Sequence, residues 1–149
     1  MSNGKPSFVL ETRIESTAQK IWDALTQSQH MQEYHFARAE LRGELKVGGR
    51  HDLYRPDGHM MLGGEIIAMD PPKRLETTFE PGWEGPDPTI TRCVYEIDEQ
   101  EDACVLTILH YDLPEGETGI ADGWRSIAEN LKAYLEGGEV KQLGTEETA

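Results

Sequence analysis

Residues 119–136 have the sequence GIADGWRSIAENLKAYLE, and this stretch decides the fold of the chain. Its large apolar side chains recur at helical spacing, which predicts an amphipathic helix with one apolar face: Ile120, Trp124, Ile127, Leu131 and Leu135. At 1.5 Å per residue this helix is about 25 Å long, enough to cross a seven-stranded sheet diagonally. We therefore expect the apolar face to be buried against a sheet formed by the preceding residues.

The chain before this helix has the pattern of strands joined by tight turns. Residues 8–14, FVLETRI, alternate like a half-buried strand. Gly48-Gly49, Asp57-Gly58 and Pro71-Pro72 are signals that end or turn strands. The strands predicted after residues 8–14 cover residues 37–45, 51–54, 59–69, 74–80, 89–98 and 103–111. Together these segments predict a sheet of about seven strands.

Two short helices are expected after the first strand. Ser16 and Gln19 fit a capping box, in which Ser16 accepts a hydrogen bond from the amide of Gln19 and the Gln19 side chain reaches back. Ser28 begins a second helical turn that ends at Tyr34. The predicted order is therefore β-α-α-β(6)-α, an α+β arrangement with helices on one face of an antiparallel sheet.

The length and composition indicate one acidic domain. The chain has 149 residues, a single-domain length, and we assign residues 1–6 to a disordered N-terminus, 7–136 to the domain and 137–149 to a polar C-terminal tail. Its 28 Asp and Glu residues exceed its 14 Lys and Arg residues, which gives a formal charge of −14. Nucleic acids and anionic membranes bind through Lys and Arg, so neither is an expected partner.

Targeting signals are not evident in the sequence. The first six residues, MSNGKP, lack the apolar segment of a signal peptide, and no stretch approaches the ~18 apolar residues of a membrane span. We therefore expect a cytoplasmic protein without membrane insertion.

Four short motifs occur in a fixed order: VGGR at 47–50, PDG at 56–58, GEIIAMDPPKRL at 64–75 and GW at 123–124. As a series they resemble the activator of heat-shock-protein-90 ATPase homologue-like family, within the START and birch-pollen-allergen-like (SRPBCC) superfamily. The likeness extends from about Phe8 to Leu135. It implies a helix-grip fold, a curved antiparallel sheet wrapped around the C-terminal helix with a cavity between them. Because the matching residues have scaffold roles, the resemblance says little about chemistry.

The last hairpin is expected to form the back wall of this cavity. If it turns near residues 99–102, residues whose numbers sum to about 201 face each other, which pairs Cys93, Tyr95 and Ile97 with Ile108, Leu106 and Cys104. Thr91 and His110 extend the same, mostly apolar face. Cys93 and Cys104 are not opposite each other, so we expect buried free thiols rather than a disulfide.

We predict that a ligand contacts this wall, the helix stripe and the cavity mouth. The resemblance implies an aromatic residue at the mouth, where Tyr34 ends the second helix, and Met61 belongs to a run of adaptable side chains. The predicted ligand-binding residues are Tyr34, Met61, Thr91, Cys93, Tyr95, Leu106, Ile108, His110, Trp124, Ile127 and Leu131.

Catalytic and metal-binding residues are not assigned. His110 is the polar candidate on the wall, where an imidazole can contact a ligand or transfer a proton, but a structural histidine bonded to a neighbour is favoured. His51 and His59 flank one hairpin, and a metal site would need further ligands that the sequence does not identify. Signature motifs of hydrolases, phosphate-binding loops and zinc proteases are missing. No cofactor is expected.

The sequence therefore favours a binding protein for a small apolar molecule, lipid-like, aromatic or polyketide-like, held between the sheet and the C-terminal helix. Two alternatives stay open. One is a cyclase, dehydratase or hydrolase of the kind found in this superfamily, with His110, Tyr95 or an inward acid in the same cavity. The other is a stress-related co-chaperone that stimulates a chaperone ATPase, as the resemblance implies. A homodimer and a further protein partner also stay open.

Overall fold

The computed structural model describes residues 5–82, 89–114 and 119–140. The predicted N-terminal segment and C-terminal tail therefore lie largely outside the described residues. The elements follow in the order β1 (Phe8–Ile14), α1 (Ala18–Thr26), α2 (Ser28–Tyr34), β2 (Glu40–Arg42), β3 (Asp52–Tyr54), β4 (Met60–Gly63), β5 (Ile66–Asp70), β6 (Arg74–Pro81), β7 (Thr91–Glu99), β8 (Cys104–Tyr111) and α3 (Gly119–Glu136). This order confirms the predicted α+β fold and its terminal helix.

The strands form one antiparallel sheet, with the order β1-β8-β7-β6-β4-β3-β2 and β5 beside β6. Side chains along β6 and β8 alternate between buried and partly exposed, so each strand presents one face to the core. On α3, the predicted apolar stripe faces this core: Trp124 and Leu131 are fully buried, and Ile120, Ile127 and Leu135 pack against the same cluster. The result is the helix-grip arrangement.

The segment predicted as one strand over residues 59–69 is two strands, β4 and β5. At Gly64 the neighbouring backbone comes so close that a Cβ atom would lie 2.9 Å from the carbonyl oxygen of Thr78. The backbone amides of Gly64 and Glu65 donate to side chains instead of to a neighbouring strand. The amide of Gly64 donates to the Asp52 carboxylate, and that of Glu65 donates to the Thr78 hydroxyl. The sheet therefore has eight strands rather than about seven.

The strand predicted over residues 37–45 is also shorter than expected. Only β2, Glu40–Arg42, pairs with β3, and it lies between Arg38 and Gly43, whose positive φ values of 55° and 120° interrupt extended backbone. The amide of Leu41, in the middle of β2, donates to the Ser28 hydroxyl at 3.0 Å, so α2 covers the outer edge of this last strand.

The last hairpin pairs with a register two residues away from the prediction. Its turn is closed by the amide of Gln100 donating to the carbonyl of Ala103 at 2.8 Å, so facing residue numbers sum to 203. Cys93 consequently faces His110, and Tyr95 faces Ile108. Because side chains alternate with a period of two, this shift preserves the predicted shared face. Cys104 faces Glu99, and both cysteines are buried free thiols, as predicted.

The capping-box prediction at α1 is wrong by one residue. Thr17, not Ser16, is the N-cap, and its hydroxyl accepts from the amide of Lys20 at 3.1 Å. The Gln19 side chain donates to Asp23 instead of reaching back to a cap. A threonine at this position satisfies one of the free amides of the first helical turn.

Replacing the N-cap by alanine should therefore destabilise the protein. We expect Thr17→Ala to lower the free energy of unfolding by about 1 kcal/mol, because the amide of Lys20 loses its acceptor. Ser16→Ala is the matched control and should change stability by less than half as much. Urea denaturation of both variants distinguishes the two residues, and a larger loss for Ser16→Ala would contradict the assignment.

Candidate functional site

A cavity of about 290 Å³ lies between the sheet, the two short helices and α3. Its walls come from α1, α2 and the residues that follow it, from β3, β4, β6 and β7, and from the first half of α3. The lining residues are Leu25, Met31, Tyr34, His35, Phe36, His51, Leu53, Met61, Leu62, Phe79, Tyr95, Gly119, Ile120, Gly123, Trp124 and Ile127. The cavity is therefore where the helix-grip fold leads one to expect a ligand site.

The predicted ligand-binding residues divide into two groups. The first group lines the cavity: Tyr34, Met61, Tyr95, Trp124 and Ile127. The second group is buried in the core outside the cavity lining: Thr91, Cys93, Leu106, Ile108, His110 and Leu131. The physical reason is clearest at His110, which Trp124 and Phe79 cover with ring centroids 6.0 and 4.5 Å away. A contact between any residue of the first group and a ligand stays a prediction.

Several lining residues had not been assigned to the ligand site from the sequence. Leu53 lies in β3 and His51 just before it, and the alternation of the predicted strand over residues 51–54 could have placed both on the inner face. His35 and Phe36 follow α2 directly, beside Tyr34. No local pattern indicates that residues 35–36 and residues 51–53 line the same cavity, because this depends on how α2 packs on the sheet.

The cavity wall is free of formal charge. Among the lining residues that the structure describes, there is no Asp, Glu, Lys or Arg. Five of them are Phe, Tyr or Trp, and the polar groups come from two tyrosines and two histidines. Aromatic rings offer large contact areas to a flat apolar molecule, and the polar atoms among them can orient it.

Tyr34 and His35 are held by backbone groups at the end of α2. The hydroxyl of Tyr34 donates to the carbonyl of Ala24 at 2.8 Å, and complete burial raises the pKa of this phenol. Nδ1 of His35 accepts from the amide of Ala37 at 3.0 Å, and its ring stacks on Phe36. Burial lowers the pKa of His35 to about 4, so the ring is neutral at pH 7.

His51 and Tyr95 form a second polar part of the wall, with ring centroids 6.4 Å apart. Nε2 of His51 lies 2.8 Å from the carbonyl oxygen of Leu25, and burial lowers the pKa of this imidazole. The Tyr95 hydroxyl interacts with the thiol of Cys93, and its pKa is raised, mainly by burial. All four polar side chains therefore stay uncharged near neutral pH.

His110 links the sheet to α3. The indole N–H of Trp124 donates to Nδ1 of His110 at 2.9 Å, so the proton of the neutral ring is on Nε2, which donates to Thr91 at 2.6 Å. Burial lowers the pKa of His110 to about 4. Both ring nitrogens have partners, and the side chain is 0% exposed. His110 thus has the structural role that the sequence analysis favoured.

His51 and His59 do not come together as the sequence analysis considered. His51 is buried against Leu25, whereas His59 lies in solvent, with Nδ1 3.2 Å from the Asp57 carboxylate. Within residues 5–82, 89–114 and 119–140 there is no group of three or more His, Cys, Asp or Glu side chains arranged to hold a metal. In the same ranges no helix has both the length and the apolar character needed to cross a bilayer.

Comparison with known families gives a match over residues 15–136, to the family described as "Activator of Hsp90 ATPase homolog 1-like protein". The chain belongs to this family. The match covers both short helices, the rest of the sheet after β1 and the whole of α3, so it includes every residue of the cavity lining. No curated protein sequence matches the chain.

Solved structures share the same fold at low sequence identity. The crystal structure of CalU16 from Micromonospora echinospora is 20% identical, with a TM-score of 0.71 over 88% of this chain and 74% of that one. The Aha1 dimer from Colwellia psychrerythraea is 19% identical, with a TM-score of 0.73 over 89% and 97%. DynU16, from the dynemicin biosynthetic locus, is 16% identical, with a TM-score of 0.66 over 86% and 46%. At these identities the likeness establishes the fold.

The bond between α3 and the sheet in this family member can be tested with a pair of tryptophan substitutions. Trp124→Phe removes the only proton that Nδ1 of His110 receives, so we expect about 1–3 kcal/mol of destabilisation beyond the loss of ring volume. Trp22→Phe is the matched control, since Trp22 is also buried and the described residues show no indole hydrogen bond for it. Equal losses of unfolding free energy in urea would contradict a role for this bond.

The buried histidines should make stability depend on pH. An unfolded histidine titrates near pH 6.5, whereas His35 and His110 stay neutral down to about pH 4, and the pKa of His51 is shifted in the same direction. Between these limits the unfolded chain binds more protons, so the free energy of unfolding is fully retained above about pH 6.5 and falls as the pH decreases. We expect a slope of about 1.4 kcal/mol per pH unit for each histidine.

Urea denaturation at several pH values between 6.5 and 5 measures this slope. The window lies above the pH range in which carboxyl groups ordinarily titrate. His110→Gln should reduce the slope by about 1.4 kcal/mol per pH unit, the contribution of one histidine, even if the substitution also lowers the free energy of unfolding at every pH. Equal slopes for His110→Gln and the unsubstituted protein would contradict the burial of a neutral imidazole at this position. Stability that is constant across this window in the unsubstituted protein would contradict the burial of neutral histidines.

Proposed function

We propose that this protein binds a small, uncharged and largely aromatic molecule in the cavity between α3 and the sheet. The main support for this proposal is the composition of the cavity lining, in which aromatic and aliphatic side chains surround a few neutral polar groups. This combination is typical of sites that bury most of a small ligand and orient it by a few hydrogen bonds.

The size of the cavity limits the ligand. Protein pockets for small molecules usually measure about 300–1,000 Å³, and a volume of about 290 Å³ is at the lower end of that range. A molecule with two or three fused rings suits this space better than a long acyl chain. Of the lipid-like, aromatic and polyketide-like ligands considered from the sequence, the aromatic class therefore fits best.

The electrostatics of the wall favour a neutral ligand. The described lining residues include no side chain that could pair with a carboxylate, a phosphate or an ammonium group. Transfer of an unpaired charge into such surroundings is costly, because water is lost and no counter-charge replaces it.

Stimulation of a chaperone ATPase is the second candidate, and the family match over residues 15–136 is the observation that favours it. Such a role would use the protein surface rather than the cavity. A substitution that fills the cavity without altering the surface therefore separates the two functions. ATPase stimulation that persists in a cavity-filled variant would support the surface role.

Gly123 provides such a substitution. It lies on the cavity side of α3, and a Cβ atom built there would meet no other atom within 4 Å. We expect Gly123→Leu to fill the cavity and weaken ligand binding at least tenfold. Stability should be retained or increased, because glycine inside a helix is about 0.5–1 kcal/mol less favourable than alanine or leucine.

Binding can be measured with N-phenyl-1-naphthylamine, a neutral aromatic compound whose fluorescence increases in apolar surroundings. Ser126→Leu is the matched control, because it adds the same side chain to the exposed face of α3. Gly123→Ala should bind almost as well as the unsubstituted protein. Absence of binding to the unsubstituted protein, or equal binding by Gly123→Leu and Ser126→Leu, would contradict the proposal.

A further inference from the structure

His51 is the wall side chain whose hydrogen bonding points most clearly to a ligand group. The carbonyl of Leu25 can only accept, so Nε2 of His51 carries the proton and donates to it at 2.8 Å. In the neutral ring Nδ1 then has a lone pair and can only accept. The other polar groups that act on this ring are its own backbone carbonyl and the carboxylate of Asp52, and the oxygens of both are acceptors. Among the residues that the structure describes, no donor bonds to this nitrogen.

The lone pair of Nδ1 restricts which ligands the cavity can hold well. His51 is 7% exposed and lies on the cavity wall, so water in the empty cavity can donate to it. A hydrocarbon that displaced this water would leave a buried acceptor without a donor, which is unfavourable. A ligand that carries an O–H or N–H group at this point would replace the lost hydrogen bond.

The absence of charged side chains from the wall further limits which ligand groups can donate to Nδ1. An ammonium group could donate to Nδ1, but the described lining residues contain no carboxylate to balance it. A carboxylate or phosphate has no proton to donate and would face the lone pair. Neutral O–H and N–H groups meet both conditions, and a phenolic O–H is the stronger donor of the two.

We infer that the ligand is a phenol or a related hydroxylated aromatic molecule whose O–H donates to Nδ1 of His51 on the cavity wall. This inference rests on the proposed function, since it specifies the chemistry of the molecule held there. It makes His51 the residue that distinguishes a hydroxylated ligand from its ether or hydrocarbon counterpart. A site that bonds a ligand hydroxyl rejects the analogue without it far more strongly than an apolar pocket rejects a change in size.

The test compares 1-naphthol with 1-methoxynaphthalene, which share a ring system and differ in the proton of the oxygen. We expect 1-naphthol to displace N-phenyl-1-naphthylamine with a Kd at least tenfold lower than that of 1-methoxynaphthalene. In protein with ¹⁵N-labelled histidine, the Nδ1 resonance of His51 should shift with 1-naphthol and not with 1-methoxynaphthalene. The resonance is measured on the unsubstituted protein, so it does not depend on a variant that folds.

His51→Phe keeps an aromatic ring and removes the acceptor, so the ratio of the two Kd values should fall to about one. His59→Phe is the control in solvent and should keep the ratio. Equal affinities for both compounds in the unsubstituted protein, or a resonance that does not move with 1-naphthol, would overturn the inference while binding of N-phenyl-1-naphthylamine upholds the proposed function. If none of the three compounds binds, both proposals fail.

Discussion

The hydrogen bond from the indole of Trp124 to His110 determines where α3 lies on the sheet, and the cavity depends on that position. His110 is itself held by Thr91 on the neighbouring strand, so three elements meet at one buried imidazole. Trp124 packs against Phe79 and Tyr95, and these three side chains form part of the cavity lining.

The sequence of α3 combines a residue that fills space with one that leaves it empty. Trp124 occupies the helix–sheet interface, whereas the adjacent Gly123 presents no side chain to the cavity. Glycine is unfavourable within a helix, and nothing about its backbone requires it here, because its φ is not positive. The absence of a side chain at position 123 is therefore best explained by the space that it preserves.

Two buried histidines illustrate how the same physical effect serves different roles. Burial depresses the pKa of both His110 and His51, so both rings are neutral. His110 has a partner on each nitrogen and acts as a fixed joint in the core. His51 has its donor bonded to Leu25, and among the described residues no donor bonds to its other ring nitrogen, so it retains capacity for one further bond. The difference lies in their neighbours and not in their residue type.

The sequence by itself determined the positions of most helices and strands, the amphipathic face of α3 and the shared inner face of β7 and β8, because these follow from local periods of 3.6 and two residues. It did not determine the hairpin register, the break at Gly64 or which residues of the inner face line the cavity. Thr91, Cys93, Leu106, Ile108, His110 and Leu131 have the apolar or inward pattern of a cavity wall, yet only the tertiary structure shows that packing covers them. Likewise, the tautomer of His51 depends on Leu25, 26 residues away in the chain. Such contacts arise when elements pack, and a local pattern carries no information about them.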